Sequence, residues 1–178
     1  AVGVVVAGFS LATGVIGLAV LFGQVESIQG WDYASTLAVL GVYMVVSALR
    51  GLVISPSLDA LAGMDGEIWR GEFDFTVLRP VNTQFLASMR YWRLFAVGDL
   101  VLGLGVLGAA IVQLGRLPGA LDAVAFVIML GAGVVVLYAI ILAFASLVFW
   151  DPGFLFTWVF DGVFQMARYP VGMYPGWL

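Results

Sequence analysis

Apolar positions fill long stretches of this chain, and the polar ones gather in the gaps between them. Residues 2–22 are apolar or small throughout and carry no charge. That is enough for one helical crossing of a hydrocarbon layer about 30 Å thick. Residues 23–31, with Glu26 and a closing Gly30-Trp31 pair, read as a short interfacial loop whose Trp31 sits in the aromatic belt. A second crossing begins at Asp32 and runs to Ile54; it carries Arg50 near its end, from where a long side chain can snorkel to the boundary. Ser55-Pro56 then places an N-cap residue before a proline at the first helical position, so a new short helix is predicted there. A third crossing covers residues 94–114, and Pro118-Gly119 marks a tight turn within 115–121. Asp122 falls in the first turn of a fourth, which reaches Trp150. Asp151-Pro152-Gly153 repeats the cap-and-proline signal ahead of a shorter, aromatic-rich helix over 154–167. Prolines 170 and 175 keep residues 168–178 from forming one continuous helix.

The long polar gap, residues 55–93, sets the predicted orientation. Arg50, Arg70, Arg79, Arg90 and Arg93 lie in or beside it, leaving only Arg116 and Arg168 elsewhere. Arginine-rich loops stay on the cytoplasmic side, so this connection is placed inside the cell and the crossings alternate around it. Within it Leu58, Leu61, Ile68, Trp69, Phe73, Phe75 and Leu78 interleave with acids and arginines. An amphipathic segment of that kind can lie on a membrane surface while presenting charge to a soluble partner. The plainer reading is a solvated loop that only fixes topology.

Composition narrows the chemistry. With 63% hydrophobic and 10% charged residues and a mean hydropathy of +1.11, the chain belongs with integral membrane proteins rather than soluble domains. It has no cysteine and no histidine, which removes disulfides, thiol nucleophiles, histidine bases and the usual zinc sets; no metal site is expected. Lysine is absent too, so a phosphate-binding loop of the lysine type cannot form and any ATP hydrolysis belongs to another subunit. A net charge of −4 argues against nucleic acid as a partner. No catalytic residue is assigned.

Three stretches resemble one family. "GEIWRGEFDFTVLRPVNTQF" is similar to the acidic-hydrophobic, Leu-Arg-Pro-containing motif between spans two and three of bacterial type-2 ABC transporter permeases. "ASLVFWDPGF" resembles that family's Phe-Trp pair after span four, and "MARYPVGMYPGWL" its Tyr-Pro doublet. The matches occur in family order and spacing. The resemblance implies an all-α polytopic helix bundle, a single permease domain with five spans present of six. The chain is then expected to be a fragment lacking an N-terminal helix and the last span. It also implies that the 55–93 connection includes a coupling helix docking on an ATPase subunit. Carried over to this sequence, the docking residues are Glu67, Ile68, Arg70, Glu72 and Asp74. Ile68, Trp69 and Phe73 serve as apolar anchors, and Arg79-Pro80 sets the turn back into span three. The implied partners are ABC ATPases, which would hold the ATP and magnesium, a second identical or homologous permease, and the lipid of a bacterial inner membrane. The implied function is export driven by that ATPase.

Two acids inside apolar runs are candidates for a substrate path. Asp99 can act as a pathway carboxylate or pair with Arg93 or Arg90 near the boundary. Asp161 has Arg168 as its only evident neighbouring cation. The glycines of the first and third crossings, among them Gly14, Gly17, Gly103 and Gly105, suit close helix packing. The rival readings are a channel or secondary transporter not driven by ATP, for which no internal repeat is found, and an intramembrane enzyme using Asp99 with Asp161.

Overall fold

The computed structural model describes residues 13–115, 118–151, 153 and 156–174. The greater part of the first predicted crossing, Arg116, Pro152 and residues 175–178 lie outside the described residues. Among the described residues seven α-helices succeed one another: α1 Thr13–Phe22, α2 Tyr33–Asp59, α3 Phe73–Val77, α4 Thr83–Met89, α5 Ala96–Gln113, α6 Ala120–Leu147 and α7 Phe156–Met166. A short 3₁₀ turn, Val171–Met173, comes after α7. No strand occurs among the described residues, and the predicted all-helical membrane bundle is what the chain forms.

Three of these helices are long and apolar enough to cross a membrane: α2 (27 residues), α5 (18) and α6 (28). The short aromatic-rich helix predicted over 154–167 is present as α7, residues 154–155 lying outside the described ones. At 11 residues, α7 rises about 16 Å, roughly half a hydrocarbon layer.

The start of α2 reflects local chemistry. Ile28 and Trp31 exchange backbone hydrogen bonds of 3.0 and 2.9 Å across Gln29 and Gly30, which both have positive φ (49° and 84°), the geometry of a type I′ turn. Asp32 then accepts the Ser35 amide at 3.0 Å, capping the helix. Hydrogen bonds from Ser35, the side chain first and the backbone second, hold the Asp32 carboxyl below its ordinary range.

The short helix predicted at Ser55-Pro56 is present as Ser55–Asp59 with the proline in its first turn, but no break precedes it and the chain stays helical throughout. Ser55 is helical and caps nothing; its hydroxyl accepts the Arg50 Nε at 2.9 Å. The helix passes the proline by widening into a π turn over Arg50–Ile54, in which the Ser55 amide reaches the Arg50 carbonyl. Pro56 has no N–H to offer Leu52, four residues back. The Leu52 carbonyl instead accepts the Arg93 amide at 3.0 Å. The proline thus frees an acceptor that ties the polar connection to the helix.

Two compact units group the chain. The first comprises residues 1–48, 95–123 and 165–178. Its core is Leu18, Leu37, Leu40 and Ala110, with Val15, Phe22, Tyr33 and Val106 around them. Glycine decides how α2 and α5 meet here. A Cβ on Gly41 would come within 2.8 Å of the Leu107 amide, and one on Gly103 within 3.0 Å of the Val45 amide, so the two backbones touch where side chains are missing. Gly105 and Gly17, by contrast, face open space.

The second unit comprises residues 49–94 and 124–164. Its core is Ile54, Leu58, Leu61, Phe73, Ile141, Ala145 and Val148. Phe73 meets Phe149 edge-on at 5.3 Å between centroids, and Tyr138 of α6 bonds Ser88 (2.7 Å) and Gln84 (3.2 Å) of α4.

Candidate functional site

The polar connection of the second unit is folded, and one acid organises it. Glu67 is 4% exposed. Its carboxylate accepts Arg90 Nη1 at 2.9 Å and the Tyr91 hydroxyl at 2.8 Å, and its carbonyl accepts the Glu72 and Phe73 amides at 2.9 and 3.2 Å. Gly66 precedes it because a Cβ there would lie 2.5 Å from the Leu61 carbonyl oxygen. The returning segment of the connection is sewn to α2 by Ser57, whose hydroxyl takes the Tyr91 amide (2.9 Å) and gives to the Tyr91 carbonyl (3.0 Å). Burying a carboxylate is costly unless it is paired and hydrogen-bonded, and Glu67 is both.

This arrangement sorts the sequence-predicted docking residues into two sets. Glu67, Phe73 (8% exposed) and, in part, Ile68 turn inward and serve the unit's own core. Trp69, Arg70, Glu72, Asp74 and Arg79 stand outside, joined by Met64, Phe75 and Leu78, the last 79% exposed. Arg70 and Glu72 pair at 3.1 Å on the exposed surface, an interaction of little energy that fixes side-chain direction more than stability. The outer face therefore combines exposed apolar side chains with charges of both signs. Arg79-Pro80 does not lead into the third span. Its bend delivers the chain to α4, whose first turn is capped by Asn82 accepting the Phe85 amide at 3.0 Å.

Asp161 finds a different partner from the one expected. It forms an ion pair with Arg50 of α2, not with Arg168. The Arg50 guanidinium lies over the rings of Phe160 and Phe164, 5.0 and 5.1 Å from their centroids, and Asp59 and Arg93 lie near enough to act on the same field. Position in the sequence suggests that Arg50 snorkels. With 13% of its side chain exposed it is instead the centre of a charged knot at the π turn. The available signal was its isolation, since no other charge occurs between Asp32 and Asp59.

Asp99 belongs to the first unit, in the first turn of α5. The sequence offers Arg90 as a partner, but Arg90 is engaged by Glu67 and Thr76. Asp99 lines a cavity of about 540 Å³ together with Leu40, Tyr43, Met44, Leu102 and Arg168. Arg168 lies over the Tyr169 ring at 5.9 Å and fills the space a Cβ on Gly14 would need. No cluster of metal-ligating side chains occurs among the described residues.

Among known protein families, the model of one described as ABC-2 family transporter protein matches residues 9–178. No curated protein and no solved structure matches the chain.

Proposed function

The chain belongs to the ABC-2 family of transporter proteins, a membrane permease component of an ABC transporter, and on that premise we propose that the outer face of residues 64–79 is where a separate ATPase subunit grips it. The observation that carries this reading is the exposed mixture of Trp69, Phe75 and Leu78 with Arg70, Glu72, Asp74 and Arg79, on an element anchored from within by Glu67. Apolar side chains without a cover are suited to be contact anchors, and the surrounding charges to set register and approach. Glu67, Ile68 and Phe73 act as positioning residues that hold this face rigid.

In this reading the connection lies in the cytoplasm, where five of the seven arginines gather. The chain sits in a bacterial inner membrane beside a second permease, identical or homologous. ATP and magnesium bind the ATPase, and this chain carries no catalytic group. Closure of the ATPase pair moves the gripped face. The Glu67–Arg90 pair, Ser57 and the Leu52–Arg93 hydrogen bond carry that motion to α2, and the work is export. Asp99 faces the substrate path, whereas Asp161 acts through Arg50 to hold α7 on α2.

The test is retention of the ATPase by the full-length protein in detergent. Reversing charge with Glu72→Lys and Asp74→Lys together is expected to cut ATPase retention and transport-coupled stimulation about tenfold, with unchanged melting temperature. Unaltered stimulation and transport in that variant would favour a channel or secondary transporter working without ATP.

A further inference from the structure

An acid with no ion-pair partner among the described residues lines the cavity of the first unit. Among the described residues the Asp99 side chain makes no hydrogen bond and no ion pair. Its surroundings give that isolation a meaning. The residue lies within a helix apolar enough to cross a membrane, where a carboxylate is costly and faces a partner or a wet cavity. It opens onto about 540 Å³ of space, the size that takes a small organic molecule. The other walls combine the apolar Met44 and Leu102 and the aromatic Tyr43 with the polar Ser47, Gln165 and Arg168.

We propose that this cavity binds an amphiphile bearing one amine, its ammonium on the Asp99 carboxylate and its hydrocarbon on Met44 and Leu102. A charge-assisted hydrogen bond in a partly desolvated site is strong enough to select the cation over a neutral analogue, and an aromatic wall adds to it. Asp99 is the one acid among the described lining residues, so the site takes a single ammonium. The helix-dipole benefit of an acid in a first turn applies to Asp99 as well, but it predicts no ligand and no preference among ligands.

This inference rests on the transport reading and names the substrate class of its path. Radiolabelled dodecylamine is the probe, bound at equilibrium to the full-length protein in nanodiscs of zwitterionic phospholipid, with empty nanodiscs subtracted. Unlabelled dodecylamine is expected to displace it, and dodecanol and dodecanoate are not. Asp99→Asn is expected to weaken binding about tenfold or more. Leu102→Trp, which fills the cavity and leaves the charge, should weaken it also, while Asp122→Asn at the start of α6 should not. Displacement by dodecanol or dodecanoate as effective as by the amine overturns the proposal, as does undiminished binding by Asp99→Asn. The competition series uses the unaltered protein, so it decides the matter whether or not the variants fold. No ATPase takes part in this binding; a docking result of either sign leaves it standing, and a failure here leaves docking standing.

Discussion

Glu67 shows how one side chain can take a role opposite to the one its type suggests. An acid in a charged connection reads as a surface contact, yet its carboxylate is closed off by Arg90 and Tyr91. Glu67→Ala is expected to lower stability by about 2 kcal/mol, seen as a lower melting temperature in detergent. The value is held down because Arg90 is 35% exposed and solvent screens it. Tyr91 supplies a second expected outcome. The hydrogen bond it donates to Glu67, and after that its partial burial, raise the phenol above its ordinary 10.0. A pKa raised in the folded state means a stabilising contribution that is complete below the unfolded value and disappears as pH climbs through the folded one. Absorbance titration of the tyrosines should therefore show a late-ionising phenol that Tyr91→Phe removes and Glu67→Gln moves back toward the ordinary range. No such shift in Glu67→Gln would break the link between the two. That the connection would be polar and amphipathic was legible in the sequence. Which acid would be buried was not, because burial depends on Arg90 and Tyr91, more than twenty residues further on, folding back against α2.

At the scale of elements, the π turn in α2 decides where Arg50 points. Proline at position 56 removes one helical hydrogen bond; the backbone widens ahead of it, and Arg50 comes to lie against α7 between Phe160 and Phe164. Arg50→Ala leaves Asp161 without its cation and is expected to cost about 2 kcal/mol. A double-mutant cycle with Asp161→Ala should return a coupling of about 1 kcal/mol, the Asp161 side chain being 46% exposed. A coupling indistinguishable from zero in melting experiments would mean that the pair does not hold α7. The extents of α2, α5 and α6 were readable because each is an apolar run long enough for a bilayer. The Ser-Pro signal located the short helix but not its continuity with the preceding turn, because cap and continuation use the same residues. Only the contact of Leu52 with Arg93 tells which one the chain adopts.

At the scale of the whole molecule, α6 has only 6% of its apolar window buried inside the structure. So large an apolar surface does not persist in water, which fits a membrane protein. The face of residues 64–79, with its exposed charges, is by contrast the one proposed to meet a soluble ATPase. The chain contains no cysteine, so Arg70→Cys and Arg79→Cys each introduce a single label site. A membrane-impermeant maleimide should modify both only after the cytoplasmic face is opened; modification in intact cells would put the face beyond reach of any ATPase.

Hydropathy alone determined that this is a helical membrane protein, roughly where three of its crossings lie, and on which connection the charge collects. It could do so because the transfer of apolar side chains out of water is additive along a run and needs no knowledge of neighbours. Tertiary structure decided the rest: that Glu67 and Phe73 turn inward, that Arg50 meets Asp161, and that Asp99 faces a cavity. Each of these depends on the meeting of residues far apart in the chain, where the cost of burying a charge is settled by whichever partner the fold brings within reach.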